Sequence, residues 1–422
     1  ETHIFLTELQ VGLTLSNLGK RTDTSLWQDM PLSLSGRQKR KPIPRRMVKT
    51  EDARHVTSLT LDLKKVSHNL KRIRSTVGSD GVIAVVKGFG YGTNAPALSK
   101  LLEREGVDYL AVAYVDEGVR LREDGVSAPI FVMNPDSMTF EALKKYHLEP
   151  TIVSLAQLRS YISWRELSEK TPQRIHLNFD SGMHRLGFKD EELNDVVEIL
   201  RVTDNIEIAT VYTHLAGAES SSLDHSTLKQ FERYDNICTQ LRTGFKGSRL
   251  LQSFKTHALN SSGVIRFPDH KYDFVRVGIA LLGSELSHND WGLEPAVSFN
   301  TVVSQVIKLP KNEGLSYGFT DASTKDRTIA WIPVGYADGY PRSLSNGVGQ
   351  VCVGKGTEKF MAKVVGRICM DLTAIDVTNR SVKAGDPVEL FGDEISLNEV
   401  AEKAGTISYE IISNIHQRVV RK

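Results

Sequence analysis

From residue 58 to about residue 290 the chain repeats one unit: a short, nearly all-apolar run, a polar turn, then a stretch of helical period. No other feature restricts the fold as strongly. Apolar runs without alternation need both faces of a strand covered, as in a parallel sheet clothed by helices. The runs fall at 82–86, 109–113, 129–133, 150–153, 174–179, 206–213, 254–259 and 274–278. Helical patterns such as 95–105, 155–167 and 226–241 lie between them. In the last, Leu228, Phe231, Tyr234, Ile237 and Leu241 recur three or four apart and mark a buried stripe. Eight units in about 230 residues predict an α/β fold, a (β/α)8 TIM barrel, over 58–292. An open doubly wound sheet fits less well, since no G-x-G-x-x-G opens a helix after any run.

After Trp291 the pattern shortens. Strand-like segments at 297–307, 328–334, 349–354, 359–365, 373–377 and 387–391 are separated by Gly, Asp, Asn and Pro, which predicts a C-terminal all-β domain over 293–422. Residues 1–57 lack periodicity and carry a basic run from Arg37 to Lys49 broken by Pro42 and Pro44, the composition of a flexible leader or linker. No secretory pattern is visible there. With 53 Lys+Arg against 51 Asp+Glu the net charge is only +2, which speaks against a nucleic-acid partner. The apolar runs are far shorter than the roughly 20 residues a membrane span needs. Cys238, Cys352 and Cys369 are too few and scattered for a disulfide framework, and read as reduced thiols of a cytoplasmic protein.

In such a barrel the chemistry gathers at the carboxyl ends of the strands, and phosphate commonly binds after the seventh and eighth. Lys87 directly follows the first run, in Val-Val-Lys-Gly-Phe-Gly-Tyr-Gly. A lysine at a strand end is ordinarily a solvated charge. Here a buried strand leads to it, and Gly88, Gly90 and Gly92 let backbone and ligand approach closely. Desolvation at a barrel mouth favours the neutral, nucleophilic amine that Schiff-base chemistry requires. His214 closes the sixth run, Asn260, Ser261 and Ser262 the seventh, and Arg276 and Gly278 the eighth. Each has a plain structural reading: a core histidine, a helix cap, a salt-bridge partner. Together, a lysine after the first strand and a phosphate-type loop after the seventh suggest a phosphorylated carbonyl cofactor. No His/Asp/Glu pair sits at metal-ligand spacing on one element, so no metal is expected.

Seven segments, in order, resemble motifs of the bacterial alanine racemases. They are 84–92 (Ala-Val-Val-Lys-Gly-Phe-Gly-Tyr-Gly), 180–187 (Asp-Ser-Gly-Met-His-Arg-Leu-Gly), 275–280, 315–318 (Leu-Ser-Tyr-Gly), 334–340 (Val-Gly-Tyr-Ala-Asp-Gly-Tyr), 366–371 (Gly-Arg-Ile-Cys-Met-Asp) and 406–410 (Thr-Ile-Ser-Tyr-Glu). The resemblance spans 58–422 and implies a homodimeric enzyme that uses pyridoxal 5′-phosphate to interconvert L- and D-alanine, supplying peptidoglycan synthesis. It further implies that Lys87 carries the cofactor in Schiff-base linkage and moves one proton. Tyr317, delivered by the partner subunit, moves the other. Tyr91, Ser261 (with its neighbour Asn260), Gly278, Ile279 and Tyr409 would hold the phosphate. His214 would lie beside the pyridine ring, Arg276 at its nitrogen and Arg185 at the phenolic oxygen, while the Met370 backbone meets the substrate carboxylate. In one bacterial group a cell-wall ligase is fused upstream of such a racemase, and residues 1–57, which lie outside the resemblance, are expected to be the linker of such a fusion.

Racemisation needs two acid–base groups on opposite faces of Cα, because a single base mostly returns the proton to the face it left. Free amine and phenol pKa values near 10 must be lowered for work near neutrality. The cationic Arg276 and Arg185 are candidates for that effect. A guanidinium does not readily give up its proton, so Arg276 should leave the ring nitrogen unprotonated and the electron sink moderate. Asn178 departs from the family, many of whose members have a carbamylated lysine there paired with the arginine matching Arg185. A bound chloride or the Asn178 amide oxygen is expected instead. Leu372 and the Gly88-Phe89-Gly90 segment also differ from the usual residues. The alternative reading is a racemase of broader specificity acting on serine or other amino acids. A decarboxylase of the same fold would want a carboxylate where Arg276 stands, and a non-catalytic carrier of the cofactor would not need Tyr317.

Overall fold

Eight parallel strands form the first sheet: β2 (Gly81–Val85), β3 (Tyr109–Val112), β4 (Ile130–Val132), β5 (Glu149–Ile152), β6 (Gln173–Asn178), β7 (Ile206–Tyr212), β8 (Lys255–His257) and β9 (Phe274–Val277). The computed structural model describes residues 55–78, 80–168, 172–204, 206–248, 250, 254–284 and 291–422. Each strand of this sheet pairs with its sequence neighbour, and β2 pairs with β9. The β8–β9 seam is bridged by Arg276 N donating to Leu259 O and Asp273 N to Thr256 O, both at 2.9 Å. The sheet is thus a nearly closed barrel. β3 and β4 are buried throughout, as expected of strands covered on both faces.

Helices alternate with these strands: α1 (Leu63–Val77), α2 (Ala95–Arg104), α3 (Val115–Glu123), α4 (Phe140–Lys145), α5 (Leu155–Ser168), α6 (Leu193–Arg201), α7 (Asp224–Gly244) and α8 (Ser261–Arg266). Helix α1 shows why such segments are helical. Asp62 accepts from the Lys64 and Lys65 backbone N–H groups, Val66, Leu70, Ile73 and Val77 form its buried face, and Gly78 ends it at φ 71°. In α7 the buried stripe runs through Thr227, Phe231, Tyr234, Ile237 and Leu241. Leu228, expected on that stripe, is 48% exposed. It sits a hundred degrees round the helix from Thr227, whose hydroxyl donates to Leu223 O and whose side chain takes the buried position.

A nine-stranded sheet forms the second layer, in the order β11-β14-β17-β16-β15-β18-β10-β1-β19. Its strands are β1 (Ser58–Leu61), β10 (Val297–Val302), β11 (Gln305–Leu309), β14 (Arg327–Ile332), β15 (Gln350–Val353), β16 (Phe360–Val365), β17 (Thr373–Asp376), β18 (Pro387–Phe391) and β19 (Val420–Arg421). A two-stranded hairpin, β12 (Gly314–Leu315) and β13 (Asp321–Ala322), projects the loop that carries Tyr317. Three differences from the sequence reading stand out. Residues 58–61 do not start the barrel: β1 is antiparallel to β10 and parallel to β19, so it belongs to the second sheet. Thr57, assigned to the flexible leader, is buried and donates to Pro333 O at 2.7 Å. The rest of that leader, through residue 54, lies outside the described residues. Finally, the C-terminal half is mostly rather than wholly β. It ends with α9 (Leu397–Ala404), capped by Ser396, and α10 (Ser408–Ser413). No helix among the described residues is long and apolar enough to cross a membrane.

Candidate active site

Lys87 stands two residues beyond β2, at the carboxyl end of the barrel. The five residues after it all have positive φ: 62° at Gly88, 55° at Phe89, 70° at Gly90, 56° at Tyr91 and 76° at Gly92. This left-handed turn is costly for Phe89 and Tyr91, and something must hold it. The holder is Glu117, on the first turn of α3. One carboxylate oxygen accepts from Gly88 N at 2.6 Å and Phe89 N at 3.3 Å, and the other from Ala113 N at 2.7 Å and Tyr114 N at 3.3 Å. The loops after β2 and β3 are thereby tied to one buried acid. Sequence reading missed Glu117, because an acid in a first helical turn is usually just a partner of the helix dipole.

The turn delivers Lys87 and Tyr91 to a cavity of about 500 Å³. Asn178 and Arg185 line it from β6 and the loop that follows, His214 from the end of β7, and Arg276 and Gly278 from β9. Asn260 and Ser261 line it at the start of α8, and Tyr409 reaches it from α10 of the C-terminal half. Gly278 is required: a Cβ there would sit 2.0 Å from the Tyr91 hydroxyl oxygen. Tyr91 in turn meets Tyr409 edge-on, with ring centroids 5.8 Å apart. The Asn260 side chain caps α8 by accepting from Gly263 N at 2.9 Å, so its plain structural reading holds even though the residue lines the cavity. Ser261 Oγ accepts from Gly278 N at 3.3 Å. Ile279 is buried and is not among the lining residues.

Arg276 is almost fully buried and has carbonyls and imidazoles for partners. Its guanidinium donates to Thr213 O at 2.7 Å, Ala258 O at 2.9 Å and His257 Nδ1 at 2.5 Å, and approaches His214 Nδ1 at 3.3 Å. Burial pushes it down to about 10, so it remains cationic at neutral pH. Burial and the charges of Arg276, Arg185 and Lys87 hold His214 far below the usual histidine range, as a neutral ring. The Lys87 amine is lowered first by burial and then by Arg185 and Arg276, while Glu117 opposes. The cations named in the sequence reading therefore act, but desolvation is the larger cause. Asn178 Nδ2 donates to Leu186 O at 3.4 Å. Among the described residues no carboxylate forms an ion pair with Arg185.

Tyr317 and Met370 lie elsewhere. Neither lines the cavity of its own chain. Tyr317 is 65% exposed, Phe319 76% and Met370 53%, with Leu372 and Tyr336 also exposed. Ser316 Oγ donates to Arg367 O at 2.7 Å, which ties the Tyr317 loop to the 366–371 turn.

The cavity suits pyridoxal phosphate by the chemistry of its donors. A desolvated primary amine fits the aldehyde, the hydroxyls of Tyr91, Ser261 and Tyr409 fit a dianion, and a guanidinium beside a neutral imidazole fits a pyridine nitrogen. The space left by the missing Cβ of Gly278 lies beside the Tyr91 hydroxyl, and the Gly278 N–H donates to Ser261 Oγ.

Residues 61–285 match the family described as alanine racemase, N-terminal domain, and residues 296–422 that described as alanine racemase, C-terminal domain. An alanine racemase of Carboxydothermus hydrogenoformans is 36% identical, covering 86% of this chain and 97% of the relative. One from Methanococcus maripaludis is 35% identical, covering 86% and 96%. Among solved structures, alanine racemase from Clostridium difficile superposes with TM-score 0.77 at 31% identity, covering 86% of this chain and 94% of that one. Alanine racemase from Bartonella henselae, solved with covalently bound pyridoxal phosphate, gives 0.77 at 26% identity, covering 87% and 99%. With both halves of the chain matched and the cavity formed between them, the protein belongs to the alanine racemase family.

Proposed function

We propose that the chain interconverts L- and D-alanine as a homodimer, each cavity being completed by Tyr317 of the partner subunit. One observation carries the reading: a desolvated lysine amine and a buried guanidinium share one cavity, in a chain that matches the racemases from residue 61 to its end. Pyridoxal 5′-phosphate, bound through Lys87, supplies the electron sink that makes the Cα proton of alanine removable. The side chains do the rest. Tyr91, Ser261, Gly278 and Tyr409 would hold the phosphate, and the family motif adds Ile279. Arg276 would serve the ring nitrogen as a donor that keeps its proton, with His214 beside it. Arg185 would serve the phenolic oxygen, its charge answered by a bound chloride or the Asn178 amide oxygen.

Lys87 Nζ takes or returns the proton on one face of Cα. Its lowered proton affinity makes it a usable base near neutrality. On the opposite face the phenol oxygen of the partner subunit's Tyr317 returns or takes the proton. The Met370 backbone, brought by the same exposed surface, meets the substrate carboxylate. The cluster of exposed Tyr317, Phe319, Met370, Leu372 and Tyr336 supports pairing of two copies, since aromatic and methionine side chains are enriched in interfaces. The three free thiols support a reducing, cytoplasmic setting in which D-alanine enters peptidoglycan synthesis.

Chiral chromatography of products from L-alanine tests the function. D-alanine should accumulate to an equal mixture, and L-serine should turn over much more slowly. An L-alanine sample left single-handed by cofactor-loaded protein would overturn the proposal.

A further inference from the structure

Behind Arg276 a file of hydrogen-bonded side chains crosses the barrel interior. Arg276 donates to His257 Nδ1 at 2.5 Å, and His257 Nε2 lies 2.9 Å from Thr210 Oγ1. Thr210 Oγ1 lies 2.8 Å from His176 Nδ1, and His176 Nε2 lies 3.0 Å from Glu149 Oε2. Glu149 is the first residue of β5 and Arg276 the third of β9, so the file runs from the amino-terminal face of the barrel toward the mouth. His176, Thr210 and His257 are wholly buried. Near solvent, Arg174 and the Tyr109 hydroxyl also meet Glu149, at 3.5 and 3.3 Å.

The donor inventory leaves one arrangement of protons. A guanidinium can only donate, so His257 accepts at Nδ1 and donates from Nε2. At the other end the Glu149 carboxylate can only accept, so a neutral His176 donates from Nε2 and takes the Thr210 hydroxyl proton at Nδ1, while Thr210 receives the His257 bond. Every donor points from Arg276 toward Glu149. Aromatic rings fix both imidazoles: Tyr212 stacks on His257 with centroids 4.8 Å apart, and Phe131 lies against His176 at 4.6 Å. The backbone is adapted as well. Ile175 pairs with Ile208 but His176 pairs with Thr210, a bulge that skips Ala209. In regular register Ala209 would face His176 and the file would have no hydroxyl.

We propose that Glu149, His176, Thr210 and His257 are positioning residues that fix the tautomer of His257, so that its lone pair holds the Arg276 guanidinium in place for the cofactor ring. This rests on the racemase reading for what Arg276 serves, but the proton arrangement stands without it. An acceptor lost at the far end releases the His176 tautomer and lets the Thr210 hydroxyl turn its proton away, which weakens the order passed on toward Arg276. A guanidinium in this barrel with a displaced imidazole would face an N–H instead of a lone pair.

The test uses the full chain labelled with ¹⁵N-histidine, with and without pyridoxal phosphate, and long-range ¹H–¹⁵N spectra. Both His176 and His257 should carry the proton on Nε2 in both states; a proton on Nδ1 of either ring overturns the proposal. Thr210→Val, nearly isosteric, should leave the His257 Nε2 proton without its acceptor, loosen the ring's hold on Arg276 and shift the visible band of the loaded enzyme. It should also lower kcat about ten-fold with less effect on KM, as loss of a buried positioning contact does. Glu149→Gln keeps an acceptor and should retain both tautomers, whereas Glu149→Leu should lose that of His176. In an Arg276→Lys background Glu149→Leu should add less than about two-fold to the loss, because the file acts through Arg276. Folded Thr210→Val and Glu149→Leu proteins with unchanged band and kcat would contradict the proposal, as would equal losses in both backgrounds. If wild-type protein made no D-alanine, the functional reading would fail while the ring spectra still decided the proton arrangement.

Discussion

Lys87 illustrates how far a residue can be read without a fold. Its position after an apolar run and before three glycines marked a desolvated amine, and the cavity and the direction of its shift agree. Glu117 could not be read the same way, since its four N–H partners come from two loops that are adjacent only in the barrel. Its removal is a sharp test of what holds the lysine turn. Glu117→Ala leaves four backbone donors facing an apolar gap, and should lower stability by about 3 kcal/mol. Denaturant unfolding of cofactor-free protein, together with cofactor titration, checks this. Cofactor affinity should fall with stability, and a variant as stable as the parent would show that the left-handed turn holds itself. Asn178 offers a second residue test. If a bound anion answers Arg185, replacing chloride by a bulky anion should reduce kcat several-fold, whereas a rate indifferent to the anion favours the amide oxygen.

Among elements, the barrel strands were legible because burial on both faces leaves an unbroken apolar run, and each of the eight was placed within a few residues. β1 was misplaced for the opposite reason. Ser-Leu-Thr-Leu alternates over four residues and would suit either sheet; its pairing with β10 and β19 depends on strands more than 200 residues away. Leu228 shows the limit of a three-residue spacing, where Thr227 proved able to take a buried position once its hydroxyl found Leu223 O. The union of the two halves near the site gives an element-scale prediction. Gly92 has φ +76°, and a Cβ there would lie 2.6 Å from Ile412 O in α10. Gly92→Ala combines a disfavoured backbone with a clash against main chain, so stability should fall by about 2–4 kcal/mol. Because α10 carries Tyr409, cofactor affinity should fall too. Thermal melting and cofactor titration measure both, and an unaltered melting temperature would show the two halves less closely joined than described.

For the whole molecule, the polar file inside the barrel makes stability depend on pH. His176 and His257 are wholly buried, and burial, the largest cause, lowers both, His257 well below the usual value. A histidine kept neutral by folding contributes stability that is present above its unfolded pKa, near 6.5, and is lost as pH falls below it. His257, held well below the usual value, gives a slope approaching about 1.4 kcal/mol per pH unit below roughly pH 6, and His176, lowered by burial against the opposing Glu149, adds to it. Chemical denaturation of cofactor-free protein between pH 7 and 5 should show this decline, and replacing His257 by Gln should flatten it. The second molecular feature is the separation of Tyr317 from the cavity of its own chain, which a single-chain sequence motif does not convey. On the proposed reading it makes the site a property of two copies. Lys87→Ala and Tyr317→Phe subunits, each nearly inactive alone, should therefore complement when mixed by unfolding and refolding together with cofactor. Random pairing puts half of the dimers in the mixed form, each with one intact site, so activity should recover to about a quarter of wild type. Mixed dimers that form, as read by native mass spectrometry, yet stay as inactive as their parents would contradict a site shared between subunits.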